Sequence, residues 1–359
     1  KDNEFKEILK MKFDVIIGNP PYQLDDGGAG ASAKPIYHLF IEQAKKLNPN
    51  YLIMITPSRW FAGGKGLDEF RDNMLNDKRM KYIVDFIDSK ECFPSSADIS
   101  GGVNYFLWDR NHNGDCTVCN MENGIVVSEM KRNLNEGSSD TFIRFNKAIS
   151  ILRKVKGKNQ ESFSQLVSSR KPFGFDTTYK GFNQSKDKTI KLHTSNGIKY
   201  VGKSDILRNV DWIDNYKVYI SRAYGERISS DFWVLGKPFL GEPNTACTET
   251  YLVIGNFENG RICENVMSYI RTRFFRFLVL LKKNTQDGTS KVYEFVPMQD
   301  FSRAWTDEQL YAKYGLSKDE INFIESMIRP MDNDTGVKPK KSRSKKTTQS
   351  QLDLGNDDE

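Results

Sequence analysis

The tetrapeptide Asn19-Pro20-Pro21-Tyr22 combines residue types suited to holding a planar amino group. Because proline fixes φ and lacks a backbone donor, the two prolines aim the surrounding carbonyl groups in set directions. The Asn19 amide oxygen and the Pro20 carbonyl then form neighbouring acceptors, which can hold both hydrogens of an NH2 group and leave its nitrogen more nucleophilic. Tyr22 offers a flat face on which a ring drawn out of its helix can stack. The alternative is an ordinary turn between a strand and a loop.

The residues around the tetrapeptide predict an α/β sheet. An apolar run at 13–18 predicts a strand directly before it. The pattern then predicts a helix at 36–47, a strand at 51–55, a helix at 67–75, strands at 82–87 and 101–108, and a hairpin of 116–121 with 125–131. Strands that alternate with helices imply a parallel sheet with helices on its faces. Such sheets bind ligands at the carboxyl ends of their strands, which is where the tetrapeptide falls.

A polar break at 132–140 is the predicted linker to a second, α+β part of the chain at 141–330. That part opens with a helix at 141–156 and continues with short strands and many aromatic residues to about residue 260. Residues 264–283 predict one amphipathic helix, with Arg276 among the cations on its polar side. Residues 331–359 lack aromatic side chains, and we expect them to be disordered.

Charge is distributed unevenly along the chain. The formal net charge is −4 over residues 1–130, +10 over 131–330 and zero over 331–359. A basic second part is expected where a protein meets a polyanion, although an uneven solvated surface gives the same count. Three segments there, 171–175, 221–224 and 271–276, combine basic and aromatic residues suited to contacts with phosphates or bases.

The composition argues against several other classes of protein. No apolar run is long enough for a membrane span, and the charged start, 1–10, is unlike a signal peptide, so we expect a cytoplasmic protein. Cysteines are too sparse for a disulfide scaffold. Cys116 and Cys119 lie in a predicted strand, where residues three apart face opposite sides, so we expect no metal site.

The motif at 13–22 resembles that of amino-group methyltransferases that use S-adenosylmethionine. The order of the later segments resembles the gamma-class N6-adenine DNA methyltransferases of type II restriction-modification systems. Four stretches carry the likeness onward: 56–61, 82–93 with Val84-Asp85-Phe86 and Cys92-Phe93-Pro94, 101–110, and 250–301. The likeness covers most of residues 10–330 and is weakest between about 150 and 240. It implies a partial Rossmann-like methyltransferase sheet over residues 1–131, followed by a target-recognition domain that binds double-stranded DNA.

The resemblance also implies roles for individual residues. Asn19, Pro20, Pro21 and Tyr22 would be catalytic, and Asn19 and Pro20 would also adjoin the cofactor. An adenine flipped out of the duplex would stack between Tyr22 and Phe106. Strand alternation would point the neighbouring Tyr105 away from that base.

One departure from the family is the cofactor segment. A strand with a glycine-rich turn should precede the tetrapeptide, and neither 27–30 nor 63–66 takes its place, since both predict mobile loops. We therefore expect a carboxyl-terminal fragment that is inactive alone and binds S-adenosylmethionine poorly. An upstream cofactor-binding or endonuclease region of the same polypeptide would be a further partner. Two alternatives stay open: a DNA-binding specificity module without catalysis, and a methyltransferase acting on RNA or on protein glutamine.

Overall fold

The computed structural model describes most of the chain. The described residues are 12–24, 34–95, 99, 101–136, 140–187, 189–225, 232–283 and 287–331. The charged start at 1–10, the glycine-rich loop at 27–30 and the tail after residue 331 lie outside them. No helix within the described ranges combines the length and apolarity that a bilayer crossing requires.

A six-stranded mixed sheet dominates the first part of the chain. Its strands are β1 (Val15–Gly18), β2 (Tyr51–Pro57), β3 (Met80–Phe86), β4 (Val103–Asp109), β5 (Cys116–Glu122) and β6 (Ile125–Arg132). They lie side by side in the order β1-β2-β4-β3-β5-β6. β1, β2 and β3 run in one direction, as predicted, but β4 lies antiparallel between β2 and β3. The predicted parallel direction is thus confirmed for these three strands, but the sheet as a whole is mixed, because alternating apolar segments do not reveal that a later strand inserts between two of them.

Two helices, α1 (Tyr37–Lys46) and α2 (Asp68–Asn76), cover one face of this sheet. Ile41 of α1 and Phe70 of α2 pack with Met54, Phe106 and Trp108 of the strands in one buried cluster. The opposite face keeps several large apolar side chains partly exposed: Val15, Ile17, Tyr51, Tyr82 and Tyr105. The helices therefore bury one set of alternating strand residues and leave the other set accessible.

The predicted hairpin at the far edge of the sheet is confirmed. β5 and β6 pair antiparallel as far as Glu122 and Ile125. The two turn residues between them, Asn123 and Gly124, have φ values of 53° and 76°. Positive φ at both positions is the requirement of a type I′ turn, which Asn-Gly meets at low conformational cost.

The second part contains two small sheets and several helices. Its helices are α3 (Lys147–Lys156), α4 (Gly260–Arg271), α5 (Arg273–Leu280), α6 (Asp307–Lys313) and α7 (Lys318–Met327). Its strands are β7 (Thr189–Thr194), β8 (Gly197–Gly202), β9 (Tyr216–Ser221), β10 (Phe239–Gly241), β11 (Thr245–Cys247) and β12 (Tyr251–Phe257). They form sheets in the orders β10-β9-β12 and β11-β7-β8. One core gathers the helices against β9 and β12, and a smaller core underlies β7, β8 and β11.

The prediction of a single helix at 264–283 is wrong, because the helix is interrupted at Thr272, between α4 and α5. Thr272 has an extended ψ of 148°, and its side chain caps α5 by accepting a hydrogen bond from the Phe275 amide at 3.1 Å. Arg276, predicted on a polar face, is fully buried and donates to the carbonyl groups of Arg271 and Thr272. Apolar spacing continues across the break, so periodicity alone did not reveal it.

Residues 140–146 run from the first core to the second. Phe142 packs beside the α1–α2 cluster, and the next residue, Ile143, belongs to the helical core of the second part. Asn146 donates to the Val118 carbonyl at 2.7 Å and accepts from Arg132 Nε at 2.9 Å. The predicted linker is thus followed by a segment bonded to β5 and β6.

Candidate active site

The tetrapeptide lies directly after β1, at the carboxyl end of the sheet. β1 pairs with β2 on one side and has no neighbour on its other side among the described residues. Asn19 and Pro21 are exposed, Tyr22 is half-buried and Pro20 is buried. The Asn19 side chain is therefore accessible at the edge where open α/β sheets bind ligands. The tetrapeptide is thus not sealed in the interior, a position that would have excluded a binding role.

Gly18 sets how closely this edge approaches β2. A Cβ atom at Gly18 would lie 2.9 Å from the Met54 sulfur, closer than van der Waals contact permits. The absence of a side chain lets the end of β1 lie directly on Met54. Asn19 therefore follows a residue that lies directly against β2.

Tyr22 is anchored through its backbone and its ring edge. The Tyr22 carbonyl accepts a hydrogen bond from the Ile36 amide at 3.2 Å, and its ring meets Tyr37 edge-to-face at 6.5 Å between centroids. The hydroxyl is buried and has no hydrogen-bond partner in the described part of the chain. Burial, with a smaller contribution from Cys92, raises the pKa of Tyr22 to about 12. Tyr22 therefore presents a neutral ring and is unsuited to act as a base near neutral pH.

The segment after β3 lies beside Tyr22. A short 3-10 helix, Ser89–Glu91, is followed by Cys92 and Phe93, whose amides both donate to the Ser89 carbonyl. Cys92 is close enough to Tyr22 and to Tyr105 to raise the pKa of both phenols, although burial is the larger cause in each case. Cys92 therefore acts electrostatically on both phenols, and for Tyr105 the contribution of Cys119 is larger.

The assignment of Phe106 as the second stacking residue is corrected by the structure. Phe106 is 0% exposed, on the sheet face covered by the helices, whereas Tyr105 is 40% exposed on the opposite face. Tyr105 and Phe106 were correctly predicted to point to opposite faces of β4, but the sequence does not show which of the two faces the helices cover. In this structure a base cannot reach Phe106.

A buried polar network lies under the same end of the sheet and was missed from sequence. Asp85 is fully buried in β3 and accepts hydrogen bonds from Ser58 Oγ at 2.9 Å and from Arg144 Nη2 at 2.8 Å. Arg144 Nε donates to the second carboxylate oxygen. Asn104 Nδ2 donates to Ser58 Oγ at 3.2 Å. An acidic residue within an otherwise apolar strand was the available signal, because a buried carboxylate needs partners.

Arg144 also holds the chain that enters β4. Its guanidinium donates to the carbonyl groups of Gly101 at 2.7 Å and Phe86 at 3.0 Å. Gly102 has a φ of +76°, and a Cβ atom there would lie 2.1 Å from the Phe86 carbonyl oxygen. Only glycine fits such an approach. Arg144 therefore binds both the end of β3 and the start of β4. These two strand ends flank residues 89–93, here called the Cys92 segment.

The three segments predicted to contact nucleic acid take largely structural places. Phe173 and Phe175 are buried in the smaller core of the second part. Arg222 pairs with Asp287, and Arg276 is buried. These side chains contact other parts of the fold. Their exposure therefore gives no support to the predicted contacts with nucleic acid.

Comparison with known proteins adds to this geometry. Residues 1–93 match the family model described as Eco57I restriction-modification methylase. The matched stretch contains the tetrapeptide, β1 to β3 and the Cys92 segment. A curated protein of Mycoplasma pneumoniae, named "Uncharacterized adenine-specific methylase", is 43% identical over 121 residues. That alignment covers 33% of this chain and 28% of the relative. The chain thus spans about a quarter of the curated relative it matches.

Solved structures of restriction-modification enzymes are similar to a larger share of the chain. The type IIG restriction endonuclease BpuSI is 12% identical, with 89% of this chain and 50% of that chain covered and a TM-score of 0.36. The type IIL enzyme MmeI, solved in complex with DNA, is 11% identical, with 81% and 46% covered and a TM-score of 0.42. Identities and TM-scores this low support no conclusion about function. A functional proposal for this chain therefore rests on its own residues.

Proposed function

We propose that this chain is part of a site-specific DNA methyltransferase of a restriction-modification system, which transfers a methyl group from S-adenosylmethionine to N6 of adenine. The observation that carries the proposal is the accessible Asn19 side chain at the carboxyl end of β1, followed by the buried Pro20 and the neutral, half-buried Tyr22 ring. The family match over residues 1–93 and the name of the Mycoplasma pneumoniae relative support it.

Asn19 and Pro20 act on the amino group that receives the methyl. The Asn19 side-chain oxygen and the Pro20 carbonyl each accept one hydrogen of the adenine N6 group. The nitrogen lone pair is then directed at the methyl donor, and the two oxygens stabilise positive charge as it grows on nitrogen. Catalysis rests on positioning and on this electrostatic contribution, and it requires no covalent enzyme intermediate.

Tyr22 forms one wall of the pocket for the flipped base. Its ring stays neutral, because burial keeps the pKa of its phenol high, and so it offers an uncharged stacking surface. Phe106 cannot supply the opposite wall, since it is buried under the helices. The accessible aromatic side chains near Cys92 are Tyr105 and Phe93. Alanine substitution at each of them, with adenine methylation as the readout, identifies the second wall.

The described residues fit the methyl-receiving side of a cofactor site. Asn19 and Pro20 are the residues that would adjoin S-adenosylmethionine there, since they hold the group that it methylates. When bound, S-adenosylmethionine supplies an electrophilic methyl group on a sulfonium sulfur. The exposed position of Asn19 leaves its amide accessible to both reactants.

Residues 141–330 would form the part that selects the DNA site, with residues 1–131 as part of the catalytic domain. The net charge of +10 over residues 131–330 supports a polyanionic partner. Contacts with phosphates would give affinity and its salt dependence, and contacts with base edges would give sequence preference.

A substrate screen tests the proposed function. The complete natural protein is supplied with tritiated methyl donor and offered, separately, duplex DNA, RNA of the same sequences and a protein presenting an accessible glutamine. We expect label in duplex DNA, recovered as N6-methyl-2′-deoxyadenosine after digestion to nucleosides. Label in RNA or protein alone contradicts the DNA substrate, and binding without label in any of them indicates a specificity module.

A further inference from the structure

Residues 180–203 form the most lysine-rich stretch of the second part. They contain six lysines and one acidic residue, Asp187. The stretch includes β7 and β8, which pair antiparallel over their full lengths. Phe182 forms a further bridge to Tyr200, with amide-to-carbonyl hydrogen bonds in both directions of 2.7 and 2.9 Å. The segment around Phe182 therefore lies along the outer side of β8.

Four of these lysines, here called the lysine edge, lie on β7, on β8 and on the segment that pairs with β8: Lys180, Lys186, Lys191 and Lys199. The Lys186 ammonium lies 4.9 Å from the Phe182 ring centroid, and Lys199 Nζ donates to Asn183 Oδ1 at 2.6 Å. Lys191 lies opposite Tyr200 in the β7–β8 pair. Pairing of β7, β8 and the Phe182 segment thus places these lysines on neighbouring stretches of one small sheet.

The lysine edge has no ion-pair partner within the described part of the chain. Among the residues that the structure describes, no carboxylate forms an ion pair with any of its four lysines, whereas the nearby Lys203 pairs with Asp214 at 3.2 Å. Positive charge here also depresses the pKa of His193, for which burial is the larger cause and Lys191 contributes. Uncompensated like charges raise the local potential and favour an anionic partner.

Exposed apolar surface accompanies the charge. Phe182 is 42% exposed and Ile198, beside Lys199, is 48% exposed. The turn between the strands, Ser195 and Asn196, is also exposed. Lysines interspersed with an aromatic ring and a polar turn match a nucleic-acid surface, where cations meet phosphates and flat or polar groups meet sugars and bases.

We propose that the lysine edge binds the phosphate backbone of duplex DNA. The inference rests on the proposed function and adds the surface through which the second part meets its substrate. Duplex DNA carries a regular line of phosphates, which suits lysines spread over neighbouring segments of a small sheet. An acidic protein segment is the competing occupant, and the experiment separates the two.

The test compares two charge-matched variants of the chain. One variant replaces Lys180, Lys186 and Lys199 by glutamine. The other also introduces glutamine, but at Lys46, Lys78 and Lys131, which are exposed lysines of the first part. Both lose the same charge, so a general loss of electrostatic attraction affects them equally. Affinity for a DNA duplex is measured across a series of salt concentrations, with circular dichroism to establish that each variant is folded. Binding of a polyglutamate peptide is measured in parallel.

We expect the lysine-edge variant to bind DNA at least tenfold more weakly than the control variant at about 100 mM salt. The slope of log affinity against log salt should become shallower by about 2 to 3, because each lost phosphate contact removes roughly 0.9. Equal affinities and slopes for the two variants would contradict DNA binding by the lysine edge. DNA would remain the proposed partner of the chain. Loss of polyglutamate binding with unchanged DNA binding would also contradict DNA binding by the lysine edge. If the unaltered chain binds no DNA, the DNA partner itself fails, and this surface with it.

Discussion

Asp85 and Arg144 form a two-point ion pair between the middle of the sheet and the start of the second part, 59 positions apart in sequence. The Asp85 carboxylate is fully buried, and Arg144 is mostly so. Because Arg144 also binds the carbonyl groups of Gly101 and Phe86, the pair fixes the two ends of the Cys92 segment beside Tyr22. Stability of the fold and the shape of the candidate site therefore depend on the same contact.

Replacing Asp85 by alanine should lower the free energy of unfolding by about 3 to 5 kcal/mol, because it leaves the Arg144 guanidinium buried without its counterion. Urea unfolding followed by fluorescence measures the change. Asp115→Ala, at an exposed position, serves as the control and should cost less than about 0.5 kcal/mol. A similar small cost for both substitutions would contradict the role assigned to the pair.

Cys92 provides a chemical probe of the candidate site. It is half-exposed, while the other four cysteines are buried. Burial, with a smaller effect of Glu91, raises the pKa of its thiol, so labelling with a maleimide should be slow at neutral pH and faster at higher pH.

Labelling of Cys92 should block methyl transfer, because it would add a bulky group to the segment whose thiol acts electrostatically on Tyr22. Methyl transfer is assayed before and after stoichiometric labelling of the complete natural protein. Cys92→Ser should stay active and resist the reagent. Full activity of the labelled unaltered protein would place the thiol outside the site.

His193 should give the second part a pH-dependent stability. Its ring lies 5.1 Å from Tyr219 and 5.2 Å from Phe239 between centroids. Burial and the positive charges of Lys191 and Lys217 lower the pKa of His193 from 6.5 to about 4. Between these values the unfolded chain binds the proton more readily, so stability is complete above pH 6.5 and is lost as the pH falls through 4.

The loss attributable to His193 should be about 1 to 2 kcal/mol, after allowance for its partial exposure to solvent. His193→Phe keeps the aromatic packing and removes the titration. We therefore expect the difference in unfolding free energy between this variant and the unaltered chain to change over that pH range and to be constant at higher pH. A difference that does not vary with pH would show that His193 titrates normally in the folded protein.

Tyr22 should act through its ring and not through its hydroxyl. Tyr22→Ala should weaken binding of the flipped base by about 1 to 3 kcal/mol, whereas Tyr22→Phe should have a small effect. Binding is measured with duplexes in which the target adenine pairs normally or opposite an abasic site, since the second costs less to flip. Equal losses for the two substitutions would mean that the hydroxyl carries the contact.

Local sequence patterns predicted the elements next to the tetrapeptide well. The strand before it, the helix after it and the strand that follows all occur in the structure, because apolar spacing records burial within one segment. The Asn123-Gly124 turn was predicted for a similar reason, since its positive φ values restrict which residues fit. Asn19 could be placed at the carboxyl end of a strand because it directly follows the apolar run at 13–18, whereas its accessibility is known from the structure.

Features that depend on distant parts of the chain were not predictable in this way. The place of β4 is set by its pairing with β2 and β3, and the face on which Phe106 is buried is the one that α1 and α2 cover. The break at Thr272 is stabilised by Asp307, whose carboxylate accepts from the Arg273 and Phe274 amides. A single sequence indicates that a carboxylate such as Asp85 needs a partner, but it does not indicate which cation supplies it.

Substitution of Asn19 by alanine in the complete natural protein tests the central claim most directly. Transfer of a tritiated methyl group to duplex DNA is measured together with DNA affinity under the same conditions. We predict that turnover falls by at least about 100-fold, the effect of removing one preorganised hydrogen-bonding group, while DNA affinity changes by less than about twofold. Turnover close to that of the unaltered protein would contradict the assignment of Asn19 as an acceptor of the reacting amino group.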